Sequence, residues 1–162
     1  MSQTSNFLPK MVVCVGAVVL KEDKALFIRQ TYGVYKGQWS IPWGFCDDAG
    51  APEAPEKVAL REVKEEAGIT AVSPQLLGIQ NDRHQGEAWL YVLFQCQHRT
   101  GTPTPDGKET DAAIYLTLDQ INSFSEIIEP FSKWLTRRVL QGEAHAIPEL
   151  SKTHFPPHRA FL

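Results

Sequence analysis

The sequence predicts an α/β (α+β) sandwich, a mixed sheet carrying a few helices. Three observations predict it. Residues 11–20 and 25–30 are two apolar, β-branched runs separated by a polar turn, which is the pattern of a strand hairpin. Residues 53–67 change to a helical period and stop at Gly68, where a left-handed residue commonly ends a helix. Further short apolar runs then alternate with loops rich in glycine and proline.

Taken in order, residues 11–20 read as a buried strand, with Gly16 marking a bulge or a close contact. Residues 31–38 hold two glycines and two tyrosines and read as a loop. Residues 39–45 read as a short, irregular strand, interrupted by Pro42 and Gly44. A loop covers residues 46–55, and Pro55 fits the first turn of the helix that follows. Residues 76–80 and 88–97 are strand candidates joined by a polar turn, residues 81–87. Residues 99–108 form a loop and residues 112–117 one more strand. A short helix is expected over 118–124. A longer one is expected over 129–141, with Phe131, Trp134, Leu135 and Val139 near one face.

The chain has 162 residues, and at ~100–200 residues per domain it reads as one domain, 1–162. A net charge of −3 gives no basic footprint for a nucleic acid duplex or an anionic membrane surface. The longest apolar run, residues 11–20, is too short to span a bilayer. Cys14, Cys46 and Cys96 are odd in number and contain no C-x-x-C pair, so they are expected as reduced thiols in a cytoplasmic protein.

The helix at 53–67 carries the chemistry. Advancing ~100° per residue from Ala54, Ala59, Val63, Ala67 and Leu60 fall at ~140–240°, the expected buried stripe. Glu65, Glu62 and Glu66 fall at ~20–120°, with Arg61 flanking them at ~340°. Three carboxylates on one face repel one another by a few tenths of a kcal/mol per pair. Lys64 lies on the other side. Two readings stay open on geometry alone: an acidic solvated face, or a site for a divalent cation with hard oxygen ligands, Mg²⁺ or Mn²⁺ rather than zinc.

Residues 61–69 read Arg-Glu-Val-Lys-Glu-Glu-Ala-Gly-Ile, matching the pattern R-E-U-x-E-E-x-G-U, with U apolar, at every specified position. Glu53 lies eight residues before Arg61, and residues 39–45 read Trp-Ser-Ile-Pro-Trp-Gly-Phe, close to a W-x-x-P-x-G lead-in. The chain therefore resembles the Nudix (MutT-like) hydrolases. That resemblance implies an α/β/α sandwich with a central mixed sheet over about residues 11–141, leaving 142–162 as an irregular tail. One departure stands out. The family has five residues between its glycine and first glutamate, whereas Gly44 to Glu53 leaves eight. Asp47 stands where many members carry an acid.

The resemblance implies Mg²⁺-dependent hydrolysis of a pyrophosphate bond in a nucleoside diphosphate linked to another moiety, such as a nucleoside triphosphate or a nucleotide sugar. It implies Glu62, Glu65 and Glu66 as metal ligands, with the Gly44 carbonyl as a further one. Arg61 would orient the carboxylates through an ion pair with Glu53. Glu62, or a loop acid such as Glu109, would take the proton of the attacking water; an ordinary exposed loop glutamate is the simpler reading of Glu109. A homodimer is the common state of family members, and the Trp134 helix or the tail could face a second copy.

Tyr32, Tyr35, Trp39 and Trp43 could stack on a base, although strand-end aromatics more often pack the core. Asp82, Arg83 and His84 could meet substrate or form only a polar turn. Lys36 and Arg29 could meet phosphates. Cys46 reads as packing. The S-Q-P-W-P-F-P run of NADH-cleaving members is absent. Where ADP-ribose-cleaving members carry a proline this chain has His84, and where diadenosine-polyphosphate members carry a tyrosine it has residues 85–87. The competing class is an inactive Nudix-like module that senses a nucleotide. It usually loses glutamates that this chain keeps.

Overall fold

The computed structural model describes residues 11–46, 53–84 and 86–149. Asp47, the lengthened loop at 47–52, Gln85 and the tail beyond 149 lie outside them.

The elements are β1 (Met11–Lys21), β2 (Lys24–Gln30), β3 (Trp39–Ser40), β4 (Trp43–Phe45), α1 (Pro55–Ala67), β5 (Thr70–His84), β6 (Glu87–Thr100), β7 (Thr110–Thr117), α2 (Leu118–Ser123) and α3 (Pro130–Leu140). β1 is the spine. It runs parallel to β6 from Met11↔Ala88 to Leu20↔Gln97. Its other edge is shared: β4 pairs antiparallel with Cys14–Gly16, and β2 pairs antiparallel at Leu20 and Lys21. β2 carries β3 and β7, and β5 closes the far edge against β6. The sheet is therefore mixed, as expected.

Alternation along β1 and β2 divides the core into two layers. Val15, Ala17, Val19, Leu26 and Ile28 pack with Val58, Ala59 and Val63 of α1. Val18, Ala25 and Phe27 pack on the opposite face with Ile121 of α2 and Leu135 and Val139 of α3. Gly16 is a close contact: a Cβ there would lie 2.5 Å from a Trp43 ring carbon.

Three expectations are corrected. The polar residues at 81–84 are strand, not turn, because β5 is an edge and pairs through Arg83↔Ala88 and His84↔Glu87 while Asn81, Asp82 and Arg83 face solvent. β5 also starts earlier, at Thr70, tolerating Pro74 where the register slips between Val72 and Gln75. On α3, Leu135 and Val139 are buried but Trp134 is 53% exposed, and Ser132 and Thr136 occupy the buried face instead.

Candidate active site

Pro55 opens α1, and Gly68 closes it at φ 67° with its N–H donating to the Lys64 carbonyl. The buried stripe is wider and turned from the expected one. Val58, Ala59, Glu62, Val63, Glu66 and Ala67 are buried and Leu60 is only half-buried, so the stripe includes two of the three carboxylates. Glu62 is 5% exposed and Glu66 3%, while the Glu65 side chain is 58% exposed. An acidic solvated face does not describe this helix. Carboxylates are almost never buried unpaired, so each needs a stabilising partner.

Arg61 supplies most of it. Its Nε donates to Glu53 at 2.9 Å, and its Nη1 donates to Glu62 at 2.6 Å and to Glu65 at 2.9 Å. Nη2 reaches the Phe45 carbonyl at 3.3 Å, tying α1 to β4. Burial works against the Arg61 charge, but Glu53, Glu62 and Glu65 more than offset it and raise its pKa. Glu66 accepts the Trp43 N–H at 3.0 Å. Burial pushes its pKa well above the ordinary 4.5, with Glu62, Glu109 and Asp106 adding to the rise and the Trp43 N–H opposing it. Gly44 packs directly on Glu62, where a Cβ would overlap the carboxylate.

Glu62, Glu65 and Glu66 line an acidic cleft with Arg61, Asp106, Lys108 and Glu109. Glu109, exposed on its loop, thus lines the same cleft as the carboxylates of α1. The loop is set by Asp106, whose Oδ1 accepts the N–H groups of Lys108 at 2.9 Å, Glu109 at 3.0 Å and Thr110 at 2.9 Å. The Thr110 hydroxyl donates to the Glu66 carbonyl at 2.6 Å, joining loop to helix. Tyr32 donates to Glu109 at 3.2 Å. Burial raises the Tyr32 pKa to about 12, helped by Glu109, so the hydroxyl stays a donor.

Burial raises the Asp106 carboxyl, but the three N–H groups and the Thr110 hydroxyl outweigh it, leaving the pKa below the ordinary 3.8. A depressed carboxylate stabilises the fold above its unfolded pKa, and the contribution is lost as pH falls through the folded value. Asp106→Ala should therefore lower stability at neutral pH by about 1 kcal/mol after discounting for exposure, a Tm drop of ~2–4 °C. The deficit should shrink as pH falls below 3.8, which thermal melts at several pH values would read.

Glu66 and Gly44 also border a second cleft of about 480 Å³, walled by Tyr32, Tyr35, Trp43, Phe45, Trp89 and Tyr91. Trp89 stacks on Tyr91 with centroids 6.0 Å apart, and Trp43 meets Tyr91 edge-on at 5.7 Å. Of the aromatics singled out in the sequence, Tyr32, Tyr35 and Trp43 line this cleft. Trp39 does not: it is 3% exposed and packs in the core. Asp82 lines the cleft, whereas Arg83 does not. Arg29 is engaged with Asp111 at 2.8 Å and Glu126 at 3.0 Å, and Lys36 lines neither cleft. Cys46 packs against the core, and burial pushes the Cys14 and Cys96 thiols up to about 12. Sequence reasoning missed Trp89, Tyr91, Phe131, Glu129 and Lys108. For Trp89 and Tyr91 the only signal is alternation on β6, which separates faces but does not say which face meets α1. Lys108, in the loop before β7, and Glu129 and Phe131, at the start of α3, carry no local signal for a site.

Among the described residues, no three His, Cys, Asp or Glu side chains already converge on one point at ligating distance. Arg61 instead draws Glu62 and Glu65 to itself. The donor set nevertheless fits a hard cation: it is all oxygen, two of its carboxylates are buried, and Gly44 lies against one of them.

The NUDIX domain family model matches residues 10–135. An ADP-ribose pyrophosphatase of Methanocaldococcus jannaschii is 33% identical over 128 residues, covering 75% of this chain and 73% of that protein. A MutT-like protein of Streptomyces ambofaciens is 31% identical over 121 residues, covering 74% of this chain and 73% of its own. Among solved structures, a MutT Nudix hydrolase from Burkholderia pseudomallei superposes with a TM-score of 0.68 at 22% identity, over 80% of this chain and 98% of that one. The Nudix domain of Shewanella oneidensis NrtR, solved with ADP ribose, gives 0.69 at 15% identity, over 83% and 90%. The chain belongs to the Nudix family and is a pyrophosphohydrolase of that family. Such enzymes work with divalent cations.

Proposed function

We propose that this chain hydrolyses, with Mg²⁺, the pyrophosphate bond of a nucleoside diphosphate linked to another moiety, with ADP-ribose and related nucleotide sugars the first candidates. One observation carries the reading: an aromatic cleft and a carboxylate-rich cleft meet at Glu66. A flat base bound between Tyr and Trp rings would hold its phosphates over the carboxylates. The similarity to the Methanocaldococcus jannaschii enzyme supports ADP-ribose despite the missing proline.

In this reading Glu62, Glu65 and Glu66, with the Gly44 carbonyl, hold the cation. A divalent cation held there would supply positive charge against the phosphate oxygens and lower the pKa of a nearby attacking water. Glu109 takes that water's proton. Its loop is fixed by Asp106, and Tyr32 donates to its carboxylate, orienting it across the cleft from Glu66. Glu62, already shared with Arg61, is the alternative acceptor. Glu53 and Arg61 are positioning residues.

The test is a panel of nucleoside triphosphates, nucleotide sugars, ADP-ribose and dinucleoside polyphosphates with Mg²⁺, read as phosphate released through a coupled phosphatase. Glu66→Gln should lower kcat by ~10³ on the substrate that wild type turns over, and Glu109→Gln by ~10²–10⁴. Turnover undiminished in Glu66→Gln would end the metal assignment, and undiminished turnover in Glu109→Gln would return the base role to Glu62.

Among the described residues no helix is long and apolar enough to cross a membrane. We read residues 1–162 as one catalytic domain, cytoplasmic given three cysteines that are all free thiols, acting on a small nucleotide rather than a nucleic acid duplex. A homodimer remains the expected state, checked by light scattering.

A further inference from the structure

Glu129 is a buried acid with no part in the acidic cleft. It is 9% exposed and stands immediately before α3. Its Oε1 accepts the Phe131 N–H at 2.8 Å and its Oε2 the Ser132 N–H at 2.6 Å. Its own N–H donates to the Trp39 carbonyl at 2.8 Å, so the backbone is anchored to β3. Helix capping alone does not call for glutamate, since Ser, Thr, Asp and Asn are the favoured residues. Glu129 also lines the aromatic cleft, in company with Tyr35, Tyr91 and Phe131. Two backbone N–H groups leave about two of a carboxylate's roughly four acceptor positions open. Asp82 lines the same cleft from β5, and no lysine or arginine is among its described lining residues. Burial keeps the Tyr35 and Tyr91 hydroxyls protonated, with Glu129 and Asp82 adding to that effect. A cleft with aromatic walls, three carboxylates (Glu66, Asp82 and Glu129) and no lysine or arginine among its described lining residues disfavours phosphate and suits a flat neutral group that offers N–H donors.

We propose that Glu129 sets base specificity by accepting a hydrogen bond from the exocyclic amino group of a nucleobase held in the aromatic cleft. The substrates are then nucleoside diphosphate derivatives of amino-bearing bases, and their oxo counterparts are rejected. The proposal rests on the cleft being the base subsite of the hydrolase described above. In the same pose an oxo group sets a carbonyl oxygen against the carboxylate, and the neighbouring ring N–H that an oxo base carries meets Glu129 only if the base shifts between the aromatic walls. Losing a hydrogen bond to a charged group corresponds to about 10- to 100-fold in affinity.

Trp43 and Trp89 wall the cleft, so their fluorescence reports binding without turnover. Wild-type protein would be titrated with adenosine against inosine and cytidine against uridine, and kcat/KM compared for ADP-ribose and its inosine analogue. The amino compound of the better-bound pair should win by about 10-fold or more. Glu129→Asp keeps a favoured cap while withdrawing the carboxylate by one methylene. It should retain its melting temperature and bring the pair to within about 3-fold. Glu129→Gln turns one acceptor into a donor and should shift preference toward the oxo compound. Equal binding of each pair by wild type, or an unchanged preference in folded Glu129→Asp, overturns the proposal and leaves the hydrolase reading intact as long as both compounds are turned over. Failure of any nucleoside compound to bind or react removes the substrate reading and this inference together.

Discussion

Gly44→Ala is expected to cut kcat by about 100-fold or more while leaving a folded protein, because a methyl at position 44 would occupy the space of the Glu62 carboxylate. The site offers no easy relaxation. Glu62 is 5% exposed and held by Arg61 at 2.6 Å. Position 44 lies in the middle of β4, which pairs with Cys14, Val15 and Gly16 of β1. Just before it, Trp43 is fixed by its N–H to Glu66 and by its ring against Gly16. Either Glu62 swings out of the cleft or β4 moves away from α1 and takes the Trp43 N–H with it. Overpacking of this kind costs about 1–3 kcal/mol, a Tm fall of several degrees. Displacing a carboxylate or a backbone carbonyl by an ångström costs about 100-fold in rate. Melting and steady-state kinetics on one preparation separate the two effects. Activity within about 3-fold of wild type would mean that Glu62 and the Gly44 carbonyl are not in the reacting geometry.

This coupling of β4 to α1 also shows where the sequence could and could not be read. The strand runs at 11–20 and 25–30 and the helix ending at Gly68 were legible because each rests on local periodicity and local turn chemistry. The identity of the three glutamates and Arg61 was legible through the motif. Their burial was not. Periodicity alone places the apolar stripe at Ala59, Val63, Ala67 and Leu60, since carboxylates are taken to face water. The true stripe is centred closer to Glu66, because β4 covers that side of α1 and gives Glu66 the Trp43 N–H, the Thr110 hydroxyl ties the Asp106 loop to the Glu66 carbonyl, and Arg61 of α1 itself partners Glu62. The aromatic cleft was half legible. Tyr32, Tyr35 and Trp43 lie near the motif in sequence, but Trp89 and Tyr91 reach it only because β6 runs parallel to β1. Glu129 and Phe131 reach it only because the segment before α3 bridges to β3. Such long-range pairings leave no trace in a short window. Trp39 shows the converse: close in sequence to the motif, it is buried in the core layer that Trp43, Tyr91 and Phe131 pack against, and so does not line the cleft.

Arg61 gives the second large effect, and it separates stability from catalysis. Arg61→Ala removes the one cation that gathers Glu53, Glu62 and Glu65, leaving carboxylates that repel one another beside the buried Glu66. Breaking a buried ion pair from one side costs about 3–5 kcal/mol; with Arg61 itself 22% exposed, the lower end is expected. That corresponds to a Tm drop of roughly 6–12 °C. Arg61→Lys restores the charge but not the fork. One ammonium cannot reach Glu53, Glu62, Glu65 and the Phe45 carbonyl together, so most of the Tm should return while kcat stays about 100-fold low. Magnesium then tests what the carboxylates are for. A cation that binds only the folded state raises Tm, and with the guanidinium gone Lys108 is the one cation left among the described residues of a cleft that holds five carboxylates. Added Mg²⁺ should therefore raise the Tm of Arg61→Ala by more than that of wild type, and should fail to do so once Glu66→Gln is combined with it. If Mg²⁺ moves none of these melting temperatures, the cluster is an ion-pair network anchored on Arg61 and the metal assignment fails. A shift confined to proteins that keep Glu66 would show that the buried carboxylate holds the cation, with Arg61 maintaining the charge balance of the site before the cation binds.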